Sequence, residues 1–284
     1  MRVLLLLEIG TVVVLLLAVG LFVVVGVDRM LAVRDSYRQR LLSLAPHLAF
    51  LAVVLGLSSI LRDISTEVSW VVGRNITGTI HAIEGDFVAQ LQSVSTPVLD
   101  WFFTSAYVFG YIFLITFPLF AYLLLDDSRP FRVATLAYAF NYAIGMVCYT
   151  FLIAFGPRNY IPGDVNSLIY TTWTELEFVT TYVNANTNVF PSLHVSLSVT
   201  VLLLAWLTRE TYPRWVVLAF PLAASVVIAT MYLGLHWLID VVAGVLLAFL
   251  SVWLATRVAA RDHGESYITL AGRRLWTVAV RSVA

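Results

Sequence analysis

Two short segments place ionisable side chains at the ends of long apolar stretches. The first is 190–194, Phe-Pro-Ser-Leu-His, and the second is 236–240, His-Trp-Leu-Ile-Asp. An ionisable group at membrane depth is costly, so a cluster of them usually marks chemistry or transport. These two segments are therefore the first candidates for a functional site.

The spacing of His236 and Asp240 suggests a catalytic pair. Residues four apart share one face of a helix, and a carboxylate at that depth costs about 3 kcal/mol on insertion scales. Pairing with the imidazole would offset that cost, select the ring tautomer and make the opposite nitrogen more basic. The alternative is an interfacial pair that only joins two helices.

The segment around His194 is typical of a helix start. Pro191 suits a first turn and Ser192 can cap the helix or donate a hydrogen bond. The exposed amides and the helix dipole attract anions such as phosphate, and His194 would lie beside such an anion, able to give or take a proton. The alternative is an interfacial histidine without a chemical role.

Arg158 is the third candidate, in the loop sequence Gly-Pro-Arg-Asn at 156–159. A guanidinium can hold two phosphate oxygens at once, although an ordinary loop arginine is the alternative. The remaining histidines, His47, His81 and His263, are expected to face headgroups or water. The sequence contains no metal-binding or nucleotide-binding motif, so we expect no cofactor, and the lone Cys148 excludes an intramolecular disulfide.

The elements that must position these residues are membrane helices. Of the 284 residues, 60% are hydrophobic and 12% are charged, which excludes an ordinary soluble protein. The apolar runs predict an all-α polytopic bundle, and buried polar residues such as Asn141 are expected to join helices by hydrogen bonds. The predicted spans are 3–27, 44–61, 103–125, 132–155, 192–208, 213–232 and 235–257.

The arginines predict the orientation of these spans. In a seven-span arrangement, 13 of the 17 basic residues fall on one side, including those of loop 28–43 and of the tail. The positive-inside rule then places the N-terminus and the three candidate site segments outside, and the tail in the cytoplasm. Residues 3–27 exceed the apolar length of a signal peptide, so we expect a retained helix. The basic tail, 259–284, either lies on anionic lipid or is solvated.

Two long segments are predicted on the outer side. Residues 62–102 mix apolar and charged positions and are expected to form interfacial helices. Residues 156–191 are rich in Thr, Asn and aromatics, including Phe178 and Tyr182, and are expected to form a lid at the headgroup level. Asn75 begins a glycosylation sequon, a common chance pattern.

The ordered motifs resemble those of the type 2 phosphatidic acid phosphatase superfamily. Pro-Ser-x-His at 191–194 resembles its second motif in full, and His-x-x-x-Asp at 236–240 resembles the end of its third. The resemblance implies a six-helix catalytic core at 44–258, preceded by an additional helix and basic loop at 1–43 and followed by the tail at 259–284. It implies a lipid substrate in the membrane and no nucleic-acid partner.

The resemblance also implies a role for each candidate residue. His236 would attack phosphorus to give a phosphohistidine, with Asp240 orienting it. His194 would protonate the leaving oxygen and later activate the acceptor. Ser192 and Arg158 would hold the phosphoryl oxygens, and no metal would be required.

This sequence departs from the family pattern at the other cationic positions. Ala229-Thr230 replaces Ser-Arg, Phe151 replaces a lysine, and Pro157-Arg158 reverses the usual Arg-Pro order. A phosphate monoester carries more negative charge than a diester, so a site with one guanidinium favours a diester. The segment 231–237 also resembles the inositol phosphorylceramide synthase branch, which favours transfer of a headgroup such as inositol phosphate over hydrolysis.

Three alternatives stay open at this point. A lipid phosphate or isoprenoid-pyrophosphate phosphatase would use the same residues with water as the acceptor. A transporter would show discontinuous helices, inverted symmetry and charges near the bilayer midplane. A purely structural membrane module would be unaffected by loss of His236.

Overall fold

The computed structural model describes residues 2–177 and 187–261, and it confirms an all-α membrane bundle. Six helices in the described part are long and apolar enough to cross a membrane, and a seventh apolar helix is shorter. The six are Val3–Val25, Tyr37–Ile60, Pro97–Leu123, Arg129–Phe151, Pro213–Tyr232 and Leu238–Ala260, and the shorter one is Leu193–Leu207. Each predicted span therefore corresponds to an apolar helix.

The first span is helix α1, Arg2–Gly20, which continues as a π-helical turn to Val25. It ends at Gly26, whose φ of +83° few other residues adopt without strain. Helix α2, Val27–Val33, follows in the predicted basic loop.

The predicted span 44–61 lies inside helix α3, Tyr37–Val72, a single helix of 36 residues whose membrane-spanning part is Tyr37–Ile60. At about 1.5 Å per residue the helix is roughly 54 Å long, far more than a hydrocarbon core of about 30 Å requires. The charged positions 62, 63 and 67 end the apolar run but not the helix, which stops only at Gly73. Residues 62–72 thus belong to α3 and not to a separate interfacial helix.

The rest of the segment up to residue 102 contains short elements. Strand β1, Arg74–Asn75, is followed by helices α4, Thr77–Glu84, and α5, Phe87–Gln92. Strand β1 pairs in parallel with strand β2, Leu152–Ile153, at the end of the fourth span. The amide of Ile76 extends this pairing by donating to the carbonyl of Ile153 at 2.9 Å.

The central spans are continuous helices with local irregularities. The third consists of α6, Pro97–Ser105, a π-helical turn at Ala106–Gly110 and α7, Tyr111–Leu123. The fourth is α8, Arg129–Phe151, after which two short helices, α9, Pro157–Tyr160, and α10, Leu168–Thr172, lie in the predicted lid. The lid residues 178–186, with Phe178 and Tyr182, are outside the described residues.

The last three helices complete the core. They are α11, Leu193–Leu207, α12, Pro213–Tyr232, and α13, Leu238–Arg261. Large side chains such as Phe117 of α7 and Trp215 of α12, whose ring centroids lie 4.3 Å apart, are fully buried in this core. The predicted role of Asn141 is confirmed, because its amide donates to Thr200 Oγ1 at 3.1 Å and its carbonyl oxygen accepts from Ser196 Oγ.

The two ends of the bundle differ in chemistry. Near one end, Arg214 at the start of α12 donates to the carbonyl of Val23 at 2.9 Å, and Arg40 pairs with Asp126 at 2.7 Å. Near the other end, about 30 Å away along the 20 residues of α12, Tyr232 packs with Leu5 and Ile169. Residues 262–284, including His263, Arg273 and Arg281, lie outside the described part, so the predicted tail stays a prediction.

Candidate active site

His194 lies in the first turn of α11, as predicted. Ser192 caps this helix, because its Oγ accepts from the amide of Val195 at 3.4 Å. The amide of Ser192 donates to the main-chain carbonyl of Asp240 at 3.1 Å, and its side chain is fully buried. One residue therefore both starts α11 and ties it to the first turn of α13.

Two tyrosines of the third span enclose the ring of His194. The ring centroid lies 4.7 Å from that of Tyr107 and 4.5 Å from that of Tyr111. These tyrosines are four residues apart and so present their rings on one face of their helix. Neither tyrosine was predicted as a site residue from the sequence, although their i, i+4 spacing was an available signal.

His236 does not lie on a helix, which corrects the prediction that it begins the seventh span. Helix α13 begins at Leu238, and His236 stands in the preceding turn. The amides of Leu235 and His236 both donate to the carbonyl of Thr230 at 3.0 Å, which closes this turn. Gly234 has a φ of +72°, in the left-handed region that favours glycine.

Asp240 nevertheless lies close to His236, through capping instead of a shared helix face. Its Oδ2 accepts from the amide of Trp237 at 2.8 Å, as a carboxylate in the first helical turn can do for the capping residue. The same oxygen is 3.6 Å from His236 Nδ1, beyond hydrogen-bond length. Asp240 is fully buried, and within the described residues neither its Oδ1 nor His236 Nδ1 has a hydrogen-bond partner.

The two histidines approach each other from separate segments, the first turn of α11 and the turn before α13. The ring centroids of His194 and His236 are 6.3 Å apart, with the planes inclined by 54°. The predicted meeting of these two imidazoles at one end of the bundle thus agrees with their positions.

Arg158 lies on α9, beside the turn that carries His236. Its amide donates to the carbonyl of Gly234 at 3.1 Å. Its Nη2 donates to the hydroxyl of Tyr170 at 3.1 Å, and its Cζ lies 4.6 Å from the centre of that ring. Its Nη1 is buried and has no hydrogen-bond partner among residues 2–177 and 187–261, so it can still donate to a ligand.

Glu84 of α4 also touches the candidate site, although the sequence analysis did not identify it. Its Oε2 accepts from the amide of Leu238 at 2.9 Å, and its Oε1 accepts from the amide of Ile239. Both amides belong to the first turn of α13. No local pattern signals this contact, because the partners are 154 and 155 residues away in sequence.

Gln92 is a second polar side chain near the site that no sequence pattern indicated. It is buried, and its amide group donates to the carbonyls of Asn166 at 3.0 Å and Tyr232 at 2.9 Å. Its carbonyl oxygen accepts from the amide of Asn166 at 2.8 Å. Gln92 therefore joins the lid segment to the end of α12.

The other predicted positions take different roles. His81 does not simply face water, because its ring lies 5.5 Å from that of Tyr160 and 5.6 Å from that of Trp237, and its Nδ1 is buried. His47 is half-buried on α3. The sequon threonine, Thr77, is buried and its Oγ1 accepts from the amide of Phe155 at 3.0 Å. No group of three metal-ligating side chains occurs in the described part of the chain.

Comparison with known proteins gives one match. The family model described as the PAP2 superfamily matches residues 80–254, from α4 into α13. No curated protein and no solved structure matches the chain. The matched region covers more than half of the chain and includes both histidines, Asp240 and Arg158. The chain therefore belongs to the PAP2 superfamily, and this membership supports a phosphatase-type lipid enzyme.

Proposed function

We propose that this protein transfers or releases a phosphoryl-containing headgroup of a membrane lipid, through a covalent intermediate on His236. The observation that carries the proposal is the meeting of His194 and His236, with ring centroids 6.3 Å apart, beside Arg158. At this separation both imidazoles can act on one phosphoryl group bound beside them, once the reacting atoms approach to about 3–3.5 Å.

In the first step, His236 is the nucleophile. Asp240 faces its Nδ1, which favours a proton on that atom and leaves Nε2 with the lone pair that attacks phosphorus. An N–P bond forms as the bond from phosphorus to the leaving oxygen breaks. His194, which enters this step as an imidazolium beside the bound anionic phosphate, gives the leaving oxygen a proton and becomes neutral. The separation of 3.6 Å between His236 and Asp240 shortens as the imidazolium charge develops, because such contacts are often long before substrate binds.

In the second step, the acceptor resolves the intermediate. His194, now neutral, takes the proton of a water or an alcohol, whose oxygen attacks phosphorus as the N–P bond breaks. Water gives hydrolysis and an alcohol gives transfer. The buried Nη1 of Arg158 is the donor that stabilises the phosphoryl oxygens in both steps.

The scarcity of cations favours a diester substrate and headgroup transfer. Ala229 and Thr230, which stand where a Ser-Arg pair is usual, are fully buried, and the Thr230 hydroxyl donates to Val227 within its own helix. Neither supplies a charge that could balance the second negative charge of a monoester. We therefore propose a phosphodiester lipid, such as an inositol phospholipid, as donor and a lipid alcohol as acceptor.

The discriminating experiment uses purified protein in lipid vesicles. One arm contains labelled phosphatidic acid, a second contains an isoprenoid pyrophosphate, and a third contains a labelled phosphoinositide with a lipid alcohol. Transfer of the labelled headgroup in the third arm supports the proposal. Rapid release of inorganic phosphate in the first or second arm would instead establish a phosphatase, and transport of the intact lipid without cleavage would contradict the enzyme.

The covalent step has its own test. His236→Ala is expected to lower kcat/KM at least about 1,000-fold, because loss of a nucleophile removes the whole two-step route. His47→Asn, on α3 away from the site, is the matched control and should retain activity. Brief reaction with a phosphorus-labelled donor should leave acid-labile label on the wild type and none on the His236 variant.

We also propose that the site faces the extracytoplasmic side. The arginine-rich end of the bundle, which includes Arg40 and Arg214, would then lie in the cytoplasm. The test replaces Cys148 by Ala and introduces one cysteine at Gly163 or at Gln39. A membrane-impermeant maleimide added to intact cells should label the first position and not the second, and the reverse pattern contradicts the orientation.

A further inference from the structure

We infer that Glu84 is a positioning residue of this site, which holds the first turn of α13 so that Asp240 faces His236. The inference rests on the proposed function and extends it to a residue that touches neither histidine. Its basis is the pair of hydrogen bonds from the amides of Leu238 and Ile239 to the two oxygens of Glu84.

The amides at the start of α13 are occupied by two carboxylates. Asp240 accepts a hydrogen bond from the amide of Trp237, and Glu84 accepts from the amides of Leu238 and Ile239. The first amides of a helix have no partner within it, and a negative charge there is favourable because of the helix dipole. The direction of the first turn, and with it the position of Asp240, therefore depends on where α4 holds Glu84.

Residues 74–84 act as a strap across the candidate site. At its beginning, β1 pairs with β2, and Thr77 Oγ1 accepts from the amide of Phe155 at 3.0 Å, three residues before Arg158. At its end, Glu84 binds the first turn of α13, and the ring of His81 lies 5.6 Å from that of Trp237. The strap thus connects the loop that carries Arg158 to the turn that carries His236.

Trp237 links the same two segments by a further hydrogen bond. Its indole Nε1 donates to the carbonyl of Phe155 at 2.8 Å, next to the strap contact of the Phe155 amide. The same peptide segment therefore contacts both the strap and the residue that Asp240 caps. A shift of Glu84 would be passed to Asp240 through the backbone between Trp237 and Ile239.

The charge of Glu84 makes this support sensitive to acid. Burial raises the pKa of Glu84, the amides of Ile239 and Leu238 lower it less, and the negative charge of Asp240 raises it further. The other titratable groups nearby are His81, one turn earlier on α4, and Tyr160, whose ring contacts His81. Glu84 is therefore protonated at a higher pH than an exposed glutamate, and the protonated carboxyl no longer offers two anionic acceptors to the helix.

The kinetic test compares Glu84→Gln with Asp86→Asn, an exposed carboxylate two residues away. Glu84→Gln is expected to lower kcat about 10- to 100-fold with little change in KM, because a small displacement of a catalytic group affects the chemical step more than binding. The ratio of wild-type to Glu84→Gln activity should fall towards one as the pH is lowered. Asp86→Asn should give a ratio near one at every pH.

Hydrogen exchange supplies a readout that does not depend on activity. Peptides covering residues 236–241 should exchange about tenfold faster in Glu84→Gln than in the wild type, and at the wild-type rate in Asp86→Asn. If the glutamine variant does not fold, Glu84→Asp takes its place, since it keeps the charge but is too short to reach both amides.

The outcomes separate this inference from the proposed function. If wild-type turnover depends on His236 while Glu84→Gln keeps the wild-type kcat and pH profile, the positioning role of Glu84 is overturned. The proposed enzymatic function is still supported in that case. If no turnover depends on His236 but hydrogen exchange at 236–241 is still faster in Glu84→Gln, the proposed function is overturned. The contact of Glu84 with the first turn of α13 is supported in that case. Unchanged exchange together with unchanged kcat overturns the positioning role outright.

Discussion

Arg158 donates its main-chain amide to the carbonyl of Gly234 at 3.1 Å, two residues before His236. The loop with the candidate phosphate-binding guanidinium and the turn with the candidate nucleophile are therefore parts of one hydrogen-bonded unit. Their relative position depends on backbone contacts and not on the flexible arginine side chain. A change of backbone spacing here should affect chemistry even where no functional side chain is altered.

Gly156 provides a direct test of that spacing. A Cβ at this position would collide with the carbonyl oxygen of Leu235, whereas one at Gly163 would meet no atom within 4 Å. Gly156→Ala is expected to lower kcat at least about tenfold by pushing the two segments apart. Gly163→Ala should behave as the wild type in the same vesicle assay, and equal activities of the two variants would show that the spacing does not matter.

Asp240→Asn tests the negative charge that faces His236. The asparagine oxygen can still accept from the amide of Trp237, and it then faces Nδ1 as the carboxylate oxygen does. The variant therefore keeps the capping contact but removes the charge that stabilises the imidazolium formed during attack. We expect kcat to fall at least about 100-fold. A loss below tenfold, measured on a variant with wild-type thermal stability, would contradict this role.

Arg158 and Tyr170 test how the phosphate-binding guanidinium is held. Arg158→Lys keeps the charge but loses the planar fork and the contact with the Tyr170 ring, so kcat/KM should fall about 10- to 100-fold. Tyr170→Phe keeps the ring and removes only the hydroxyl that accepts from Nη2, so kcat/KM should fall less than tenfold. Because the two residues are in contact, the loss of transition-state stabilisation in the double variant, calculated from kcat/KM, should be smaller than the sum of the losses in the single variants. Strict additivity would mean that Tyr170 does not position Arg158.

Gln92 tests the contact between the lid segment and α12. Gln92→Met would leave the buried Tyr232 carbonyl without this partner and would remove the contacts with Asn166, at a cost of about 1–3 kcal/mol. We expect a lower Tm in detergent solution, followed by tryptophan fluorescence. Gln90→Met, at an exposed position of the same helix, is the control and should leave Tm unchanged. Equal Tm values for the two variants would refute a structural role for Gln92.

Local sequence signals predicted the starts and lengths of several helices well. Residues 213–232 were expected as a span, and α12 is Pro213–Tyr232. Pro191 and Ser192 indicated the start of α11, and Ser192 does cap it. Such features depend on residues within one or two turns, so they can be recognised without knowledge of the fold.

Where a prediction failed, the sequence permitted two solutions. The spacing of His236 and Asp240 fits a helix face, but it also fits a turn followed by a capped helix, and the structure has the latter. Similarly, the charged residues after position 61 were consistent with the end of a helix or with its continuation. The longer helix α3 contacts α8, and β1 after it pairs with β2. These contacts join segments that are distant in sequence, so no local pattern reports them.

By itself, the sequence determined that the chain crosses a membrane, roughly where it does so, and which side chains are rare enough at that depth to suggest chemistry. These conclusions follow from the transfer of apolar and charged groups between water and hydrocarbon, which depends on residue type and run length. Only the tertiary structure decided that Tyr107 and Tyr111 enclose His194, and that Glu84 holds the helix of Asp240. Such partners are 83 to 155 residues apart in sequence, and they meet because of helix packing and not because of any local pattern.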